Sequence, residues 1–487
     1  MGAIGVGLLT RDARRPAGDG ATPPASAFPG LEALAGFDFE QETGLICPFC
    51  SNACNRTVIR FADGSSFVTG NRCERGEVLA QPEDGEGRER LREIARRRAA
   101  VPNLMAEREK LFMRAGRELQ PLPGIGSATR GRIGIPRVLE FWHSLPFWQS
   151  FWRLLGWEVV LSPESSRELF EDGLASVPSD TVCFPAKLAH GHLRALIDCG
   201  VDRVFMPMIN RMPPENATTT SNHVCAVVKG YPMVLEVSDE PTTRHGVGFE
   251  RPLFHWLDAR TRRRQIVDWA TDSLGLPARV VEEAIRQADA VQAEVEERLR
   301  LRGREVLEQL SRHDEMGVVL AGRPYHTDRL VNHDLADFFV SEGIPVLTVD
   351  SLPDLNQTDL SGTRAELTVN FHVRMFSAAL QVAADPRLEL VQMVSFGCGH
   401  DAVISDEVVR LMQESTGKTP LTLKLDETDV RGPLGIRIRS FIETVRSRRG
   451  RTASKHAAGR IPGSRPAPGP DHAPGSRPAP PVLPDPY

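Results

Sequence analysis

The chain has 487 residues, enough for two or three hydrophobic cores, with 41% hydrophobic and 25% charged residues and a net charge of -5. That balance argues against nucleic acid or an anionic membrane as a charge-driven partner, because phosphate recognition needs a clustered basic surface. The opening MGAIGVGLLTRDARR has no positive residue before its apolar run, which is too short for a secretory core or a membrane span, so a cytoplasmic protein is expected. In such a compartment the eight cysteines point to metal ligands or redox groups before disulfides.

Residues 1–40 are rich in Gly, Ala and Pro and read as a flexible lead-in. A cysteine-rich module with a connecting helix follows over 41–130. Its stretch ICPFCSNACNRTVIRFADGSSFVTGNRC sets Cys47, Cys50, Cys54 and Cys73 at the spacing C-x2-C-x3-C-x18-C. Four thiolates this close suit a structural zinc or an iron-sulfur cluster, both of which are four-cysteine sites. A C-P-F-C redox pair is a third reading, but it leaves Cys54 and Cys73 without a role. The run GRERLREIARRRAA interleaves acids with arginines at helical spacing, the pattern of a solvated helix and not of a nucleic-acid patch. GIGSATRG near Gly124 has no preceding strand and no acidic partner downstream, so it is not a dinucleotide fingerprint.

A first α/β lobe is expected over 131–276. Its order is RIGIPRV as a strand, LPFWQSFWRLLG as a helix, WEVVLS as a strand, ESSRELFEDG and PAKLAHGHLRALIDCG as helices, and VDRVFMPMI as a strand. The pattern from Pro277 to about Arg312 predicts one extended helix, so 277–316 is a long connecting helix between two lobes. The second α/β lobe, 317–450, begins with MGVVLAGRPYH and alternates IPVLTVD, LELVQMVSFGCGH and TPLTLKLD with helices near Leu335, Ala378, Val408 and Ile442. Residues 451–487 repeat GSRPAP and are expected to be a disordered Pro-rich tail. The fold class is thus α/β: two doubly wound parallel-sheet lobes with a small N-terminal cysteine-rich metal module.

Ligands of open α/β sheets bind at the carboxyl ends of the strands. Three cysteines fall in or beside such loops: Cys183 in SDTVCFPAK, Cys225 in SNHVCAVVKGYP and Cys398 in VSFGCGH, where Gly397 and Gly399 clear side chains from its neighbourhood. A free cysteine is usually a small buried hydrophobe, and that reading is given to Cys199 inside the helical ALIDCG. For the other three, loop placement beside glycine or proline favours a ligand role. His326 and His333 in GRPYHTDRLVNHD follow a strand end and are candidate proton-transfer groups, with capping and loop hydrogen bonding as the competing reading. TGKT at Thr416–Thr419 ends like a phosphate loop, but Met412 occupies the first glycine position and the segment leaves a helix instead of entering one. No ATPase activity of its own is expected.

Taken together, GRIGIPRVLEFW, LPFW, GWEVVLSP, VCFPAKLAHGH, AGRPYHTDRLVNH and VQMVSFGCGHDAV, with CPFCSNACN and GNRCERG, resemble the cysteine-bearing region of acyl-CoA dehydratase activase-related proteins. The lobes of that family are similar to 2-hydroxyacyl-CoA dehydratase subunits and to double-cubane cluster proteins. The resemblance runs from about Ile46 to Val445. It implies an iron-sulfur cluster, of 4Fe-4S or double-cubane type, held by Cys183, Cys225 and Cys398 and open at one iron. It also tilts Cys47, Cys50, Cys54 and Cys73 toward iron-sulfur, with Zn as the alternative there. Long family members begin with ATPase modules, and 1–40 is too short for one. A separate ATP-dependent reductase (activase) chain is therefore the implied partner, with an acyl-CoA substrate and a dimer in the same expectation. The rival expectation is a non-enzymatic zinc- or cluster-bearing assembly or electron-relay protein.

Overall fold

The structure, a computed structural model, describes residues 38–48, 55–71, 74–79, 85–125, 129–216, 219, 222–256, 258–364, 369–395, 397–428 and 431–458. The N-terminal module is an antiparallel sheet of β1 (Phe39–Ile46), β2 (Asn55–Phe61) and β3 (Ser66–Thr69), in that order. The buried Arg56 of β2 donates to the carbonyls of Gly76 and Val78, at 2.9 and 3.0 Å. Helix α1 (Gly85–Ala100) is largely exposed, as its interleaved charges require. Helix α2 (Leu104–Arg114) starts at Asn103, whose side chain accepts from the Ala106 N–H.

In the first lobe β4 (Arg132–Ile135) stops at Pro136, which has no N–H to continue the ladder. Helix α3 (Phe141–Leu154) drives Trp148 and Trp152, each 0% exposed, into a cluster with Phe205, Phe254, Trp256 and Trp269. There follow β5 (Glu158–Leu161), α4 (Arg167–Gly173), α5 (Phe184–Asp198), β6 (Arg203–Phe205) and β7 (Met208–Arg211). VDRVFMPMI, expected to be one strand, is thus two, divided at Pro207, where the missing N–H breaks the pairing. Next come α6 (Ala226–Asp239), α7 (Pro241–His245), β8 (Gly248–Glu250), β9 (Leu253–His255) and α8 (Ala259–Leu274). The sheet order is β5-β4-β6-β8, all parallel, with β7 and β9 paired separately.

The predicted long helix is α9 (Ala278–His313), 36 residues that leave the first lobe for the second. Val281, Ala284, Ala288 and Leu299 lie in the first core, and Val306 and Leu310 nearer its end lie in the second. The second lobe holds β10 (Gly317–Ala321), α10 (Leu335–Ser341), β11 (Val346–Thr348), α11 (Asn370–Ala384), β12 (Leu388–Ser395), α12 (Gly399–Thr416) and β13 (Leu421–Leu425). Its sheet is β11-β10-β12-β13, all parallel, with every residue of β10 and β12 buried. Both lobes therefore have the order second-first-third-fourth, and the doubly wound α/β expectation holds. By contacts the chain divides into Met1–Gly435 and Ile436–Tyr487. The described part of the second unit is helical and belongs to α13 (Arg431–Ala458). No helix among the described residues is long and apolar enough to cross a membrane.

Candidate functional site

A parallel sheet with crossover helices starts each helix at the carboxyl edge of the strands, so loop residues there meet several helix N-termini at once. Cys183, Cys225 and Cys398 are the N-cap residues of α5, α6 and α12, and none of the three thiols makes a capping hydrogen bond. Each of these cysteines thus sits at the positive end of a helix dipole. Gly397, at φ +78°, makes the turn that delivers Cys398 from β12, a conformation that strains any residue with a Cβ.

The three thiols, two from the first lobe and one from the second, share one electrostatic environment. Burial pushes the Cys183 thiol up to about 11; the Ala186 backbone N–H and then Arg323 oppose the rise, and the like charges of Cys225 and Cys398 add to it. Among the described residues, no three His, Cys, Asp or Glu side chains converge tightly enough to hold one metal ion.

A hydrogen-bonded group of second-lobe side chains reaches Cys398 through Arg323. Arg323 donates to Asp401 from both terminal nitrogens, at 3.0 and 2.6 Å, and Nη2 also reaches the Cys398 Sγ at 3.3 Å and His372 Nε2 at 3.3 Å. Both members of this ion pair are buried. Burial works against the Arg323 charge, but Tyr325, Asp401 and Cys398 hold its pKa well above the usual value. Asp401 is fixed in turn by the Ser395 N–H at 2.8 Å. Burial raises Tyr325, and Cys183, Cys225 and Asp401 add to the rise against the pull of Arg323. His372 is held neutral, down at about 2, by burial, Arg323 and His400.

The two histidines singled out in the sequence lie apart from this group's polar contacts with the thiols. His326 accepts from the Arg323 N–H through Nδ1 at 3.0 Å and meets Ser395 Oγ through Nε2 at 3.2 Å, and burial lowers it to about 3. His333 donates from Nε2 to the Asp426 carbonyl at 2.9 Å. Cys199 corrects an expectation: it is exposed at the C-cap of α5 and not packed in the helix, because the apolar face ends at Leu196. Cys47 is buried, whereas Cys50, Cys54 and Cys73 lie outside the described residues. The amine of Lys418 in TGKT donates to the carbonyls of Val382, Asp385 and Leu388, which makes it a structural strap. Arg323, Tyr325 and Asp401 carried a sequence signal that was passed over. They stand in GRPYH and FGCGHD, one immediately after the first strand of the lobe and the other after the third.

Fold and site together define a doubly wound α/β protein with thiols at the carboxyl edges of both sheets. Residues 132–352 match a family model described as CoA enzyme activase uncharacterised domain. The match takes in Cys183, Cys225 and Arg323, and Cys398 lies beyond its end. No curated protein matches the chain. One similar solved structure is the C-terminal domain of glucosamine-fructose-6-phosphate aminotransferase from Francisella tularensis, 11% identical, with 74% of this chain and 94% of that chain covered. The TM-score is 0.18.

Proposed function

We propose that this chain is an iron-sulfur protein of the activase-related kind, with a cluster held by Cys183, Cys225 and Cys398 between its two lobes. It takes low-potential electrons from a separate ATP-dependent reductase chain for reductive or dehydratase chemistry on an acyl-CoA-type substrate. One observation carries the reading: Cys183, Cys225 and Cys398, drawn from both lobes, each stand at the N-terminus of a helix at the carboxyl edge of a parallel sheet, with no side-chain capping bond. That donor set fits a multi-iron core, since Cys thiolates are the usual ligands and three of them leave one iron open. When bound, such a cluster supplies single electrons at low potential. The residues do the rest: helix N-termini stabilise the thiolates, Arg323 offsets negative charge at Cys398, and Tyr325 and buried apolar groups exclude water. The reductase partner is inferred from the activase-related domain and from Lys418, which is committed to backbone carbonyls.

Iron, acid-labile sulfide and zinc analysis of anaerobically purified protein, with electron paramagnetic resonance, tests this. Iron and sulfide are expected in the native chain and depleted in Cys183→Ser, Cys225→Ser and Cys398→Ser, with Cys199→Ser unchanged. Stoichiometric zinc without sulfide would sink the reading and favour a non-enzymatic zinc-bearing protein.

A further inference from the structure

The second lobe holds a cavity of about 30 Å³ at the carboxyl edge of its sheet, in the loops that follow β10 and β11. Ligands of open α/β sheets bind at that edge. Arg108, Arg323 and Arg374 line the space against a single acid, Asp350. Each arginine has a carboxylate partner, but Asp401 and Glu215, which pair with Arg323 and Arg374, do not line the cavity. The wall is therefore cationic. Arg108 has no donor group left over: Nε goes to Asp350, Nη1 to Thr327 and Nη2 to the Trp142 carbonyl. Arg374 differs. Its Nε donates to Glu215, and neither Nη1 nor Nη2 has a partner among the described residues. The Nε of Arg323, in the same lining, is buried and likewise has no partner there.

Arg374 is also held in place. Asn370, one turn earlier in α11, donates to Glu215 Oε1 at 3.1 Å and accepts from the Glu215 N–H at 3.2 Å, so the carboxylate that holds Nε is itself fixed. The Phe371 ring lies 5.3 Å from the guanidinium carbon. With Nε committed, Nη1 and Nη2 form an end-on fork, whose two parallel N–H groups match the two oxygens of a carboxylate. A water needs roughly 10–15 Å³ of such space, so the cavity takes about two oxygen-sized groups, which suits a carboxylate better than the three acceptor oxygens of a phosphate. Met105, Leu320 and Met393 complete the lining with apolar surface for a short aliphatic stem. We propose that this cavity binds the carboxylate of a small aliphatic acid, with Arg374 gripping both oxygens through Nη1 and Nη2. Asn370 and Glu215 are the positioning residues. The site takes no ligand atom from the thiols and does not rest on the iron-sulfur reading.

The test is a titration of the full-length chain, as purified, with sodium propionate at constant ionic strength, read by ligand NMR line broadening. Propionamide, its uncharged counterpart, and inorganic phosphate serve as competitors. Propionate is expected to bind saturably, and neither competitor should displace it at equal concentration. Arg374→Lys keeps a cation beside Glu215 but loses the fork, and should weaken propionate binding about tenfold, the worth of one charge-assisted hydrogen bond. Arg374→Gln should abolish binding. Should Arg374→Gln fail to fold because Glu215 is left buried without its cation, Arg374→Lys and the wild-type competitions still decide the matter. Absence of saturable propionate binding, displacement by propionamide or phosphate, or undiminished binding in folded Arg374→Lys would each overturn the proposal. Iron and sulfide are not read in this titration, so its failure and the failure of the iron-sulfur reading are told apart.

Discussion

Arg323 spends its guanidinium on three partners at once, Asp401, His372 and the Cys398 sulfur. Replacing it with Gln leaves the Asp401 carboxylate buried without its cation. A loss of about 3–5 kcal/mol in a denaturant melt is expected. Protonation gives a second residue-scale prediction. His192, His326 and His372 are held at about 3, 3 and 2, by burial first and by neighbouring arginines next. Their folded values lie below the ordinary value of about 6.5, so on acidification the unfolded chain takes up protons first. The stability they contribute is present above about pH 6.5 and is lost as pH falls toward 3. Glu140 has the opposite sign: burial raises it to about 8, above the usual carboxylate range, so stability falls as pH rises through that interval. Thermal melts against pH should therefore show a maximum near or below neutrality, and Glu140→Gln should flatten the alkaline limb while leaving the acid limb intact. At this scale the sequence placed Cys183, Cys225 and Cys398 at loop positions, which the structure shows as helix N-caps, and it left proton transfer and loop hydrogen bonding both open for the histidines. A cysteine beside glycine at a strand end is an unusual choice with few bland uses, whereas His326 and His333 serve backbone hydrogen bonding that any sequence reading sees only as polarity.

Among the elements, α9 was legible almost to the residue, since an amphipathic pattern sustained over 36 positions has no other use. Short strands were not so well marked. VDRVFMPMI reads as one apolar run, and only the geometry around Pro207 divides it between two sheets. Nor did the sequence disclose why a glycine, Gly303, stands inside α9. A Cβ there would lie 1.8 Å from the Ser351 carbonyl oxygen, so the glycine lets the backbone turn after β11 rest directly on the helix. In an unobstructed helix Gly→Ala stabilises by up to about 1 kcal/mol. Here the sign should reverse: Gly303→Ala forces backbone apart and is expected to cost about 1–3 kcal/mol in a chemical denaturation curve.

At the scale of the two lobes, buried polar contacts cross between them alongside apolar ones such as Phe371 and Val331. Arg108, 2% exposed, donates to Trp142 O of the first lobe at 2.7 Å and to Thr327 and Asp350 of the second at 2.8 and 2.7 Å. Ser165 joins the His192 ring to Asp328 across the same boundary. Arg108→Ala strands three acceptors and is expected to cost about 3 kcal/mol or more, read as a lower melting temperature. The consequence of α9 lies in cooperativity. Domains that unfold separately do so along a line that few structured elements cross, but an unbroken rod of about 54 Å has one end sealed in each hydrophobic core. Neither core can be released without exposing half of the rod or fraying it at Gly303. The two sheets are therefore expected to melt in a single transition, with the amides at the middle of α9 among the last to exchange with deuterium, in step with global unfolding.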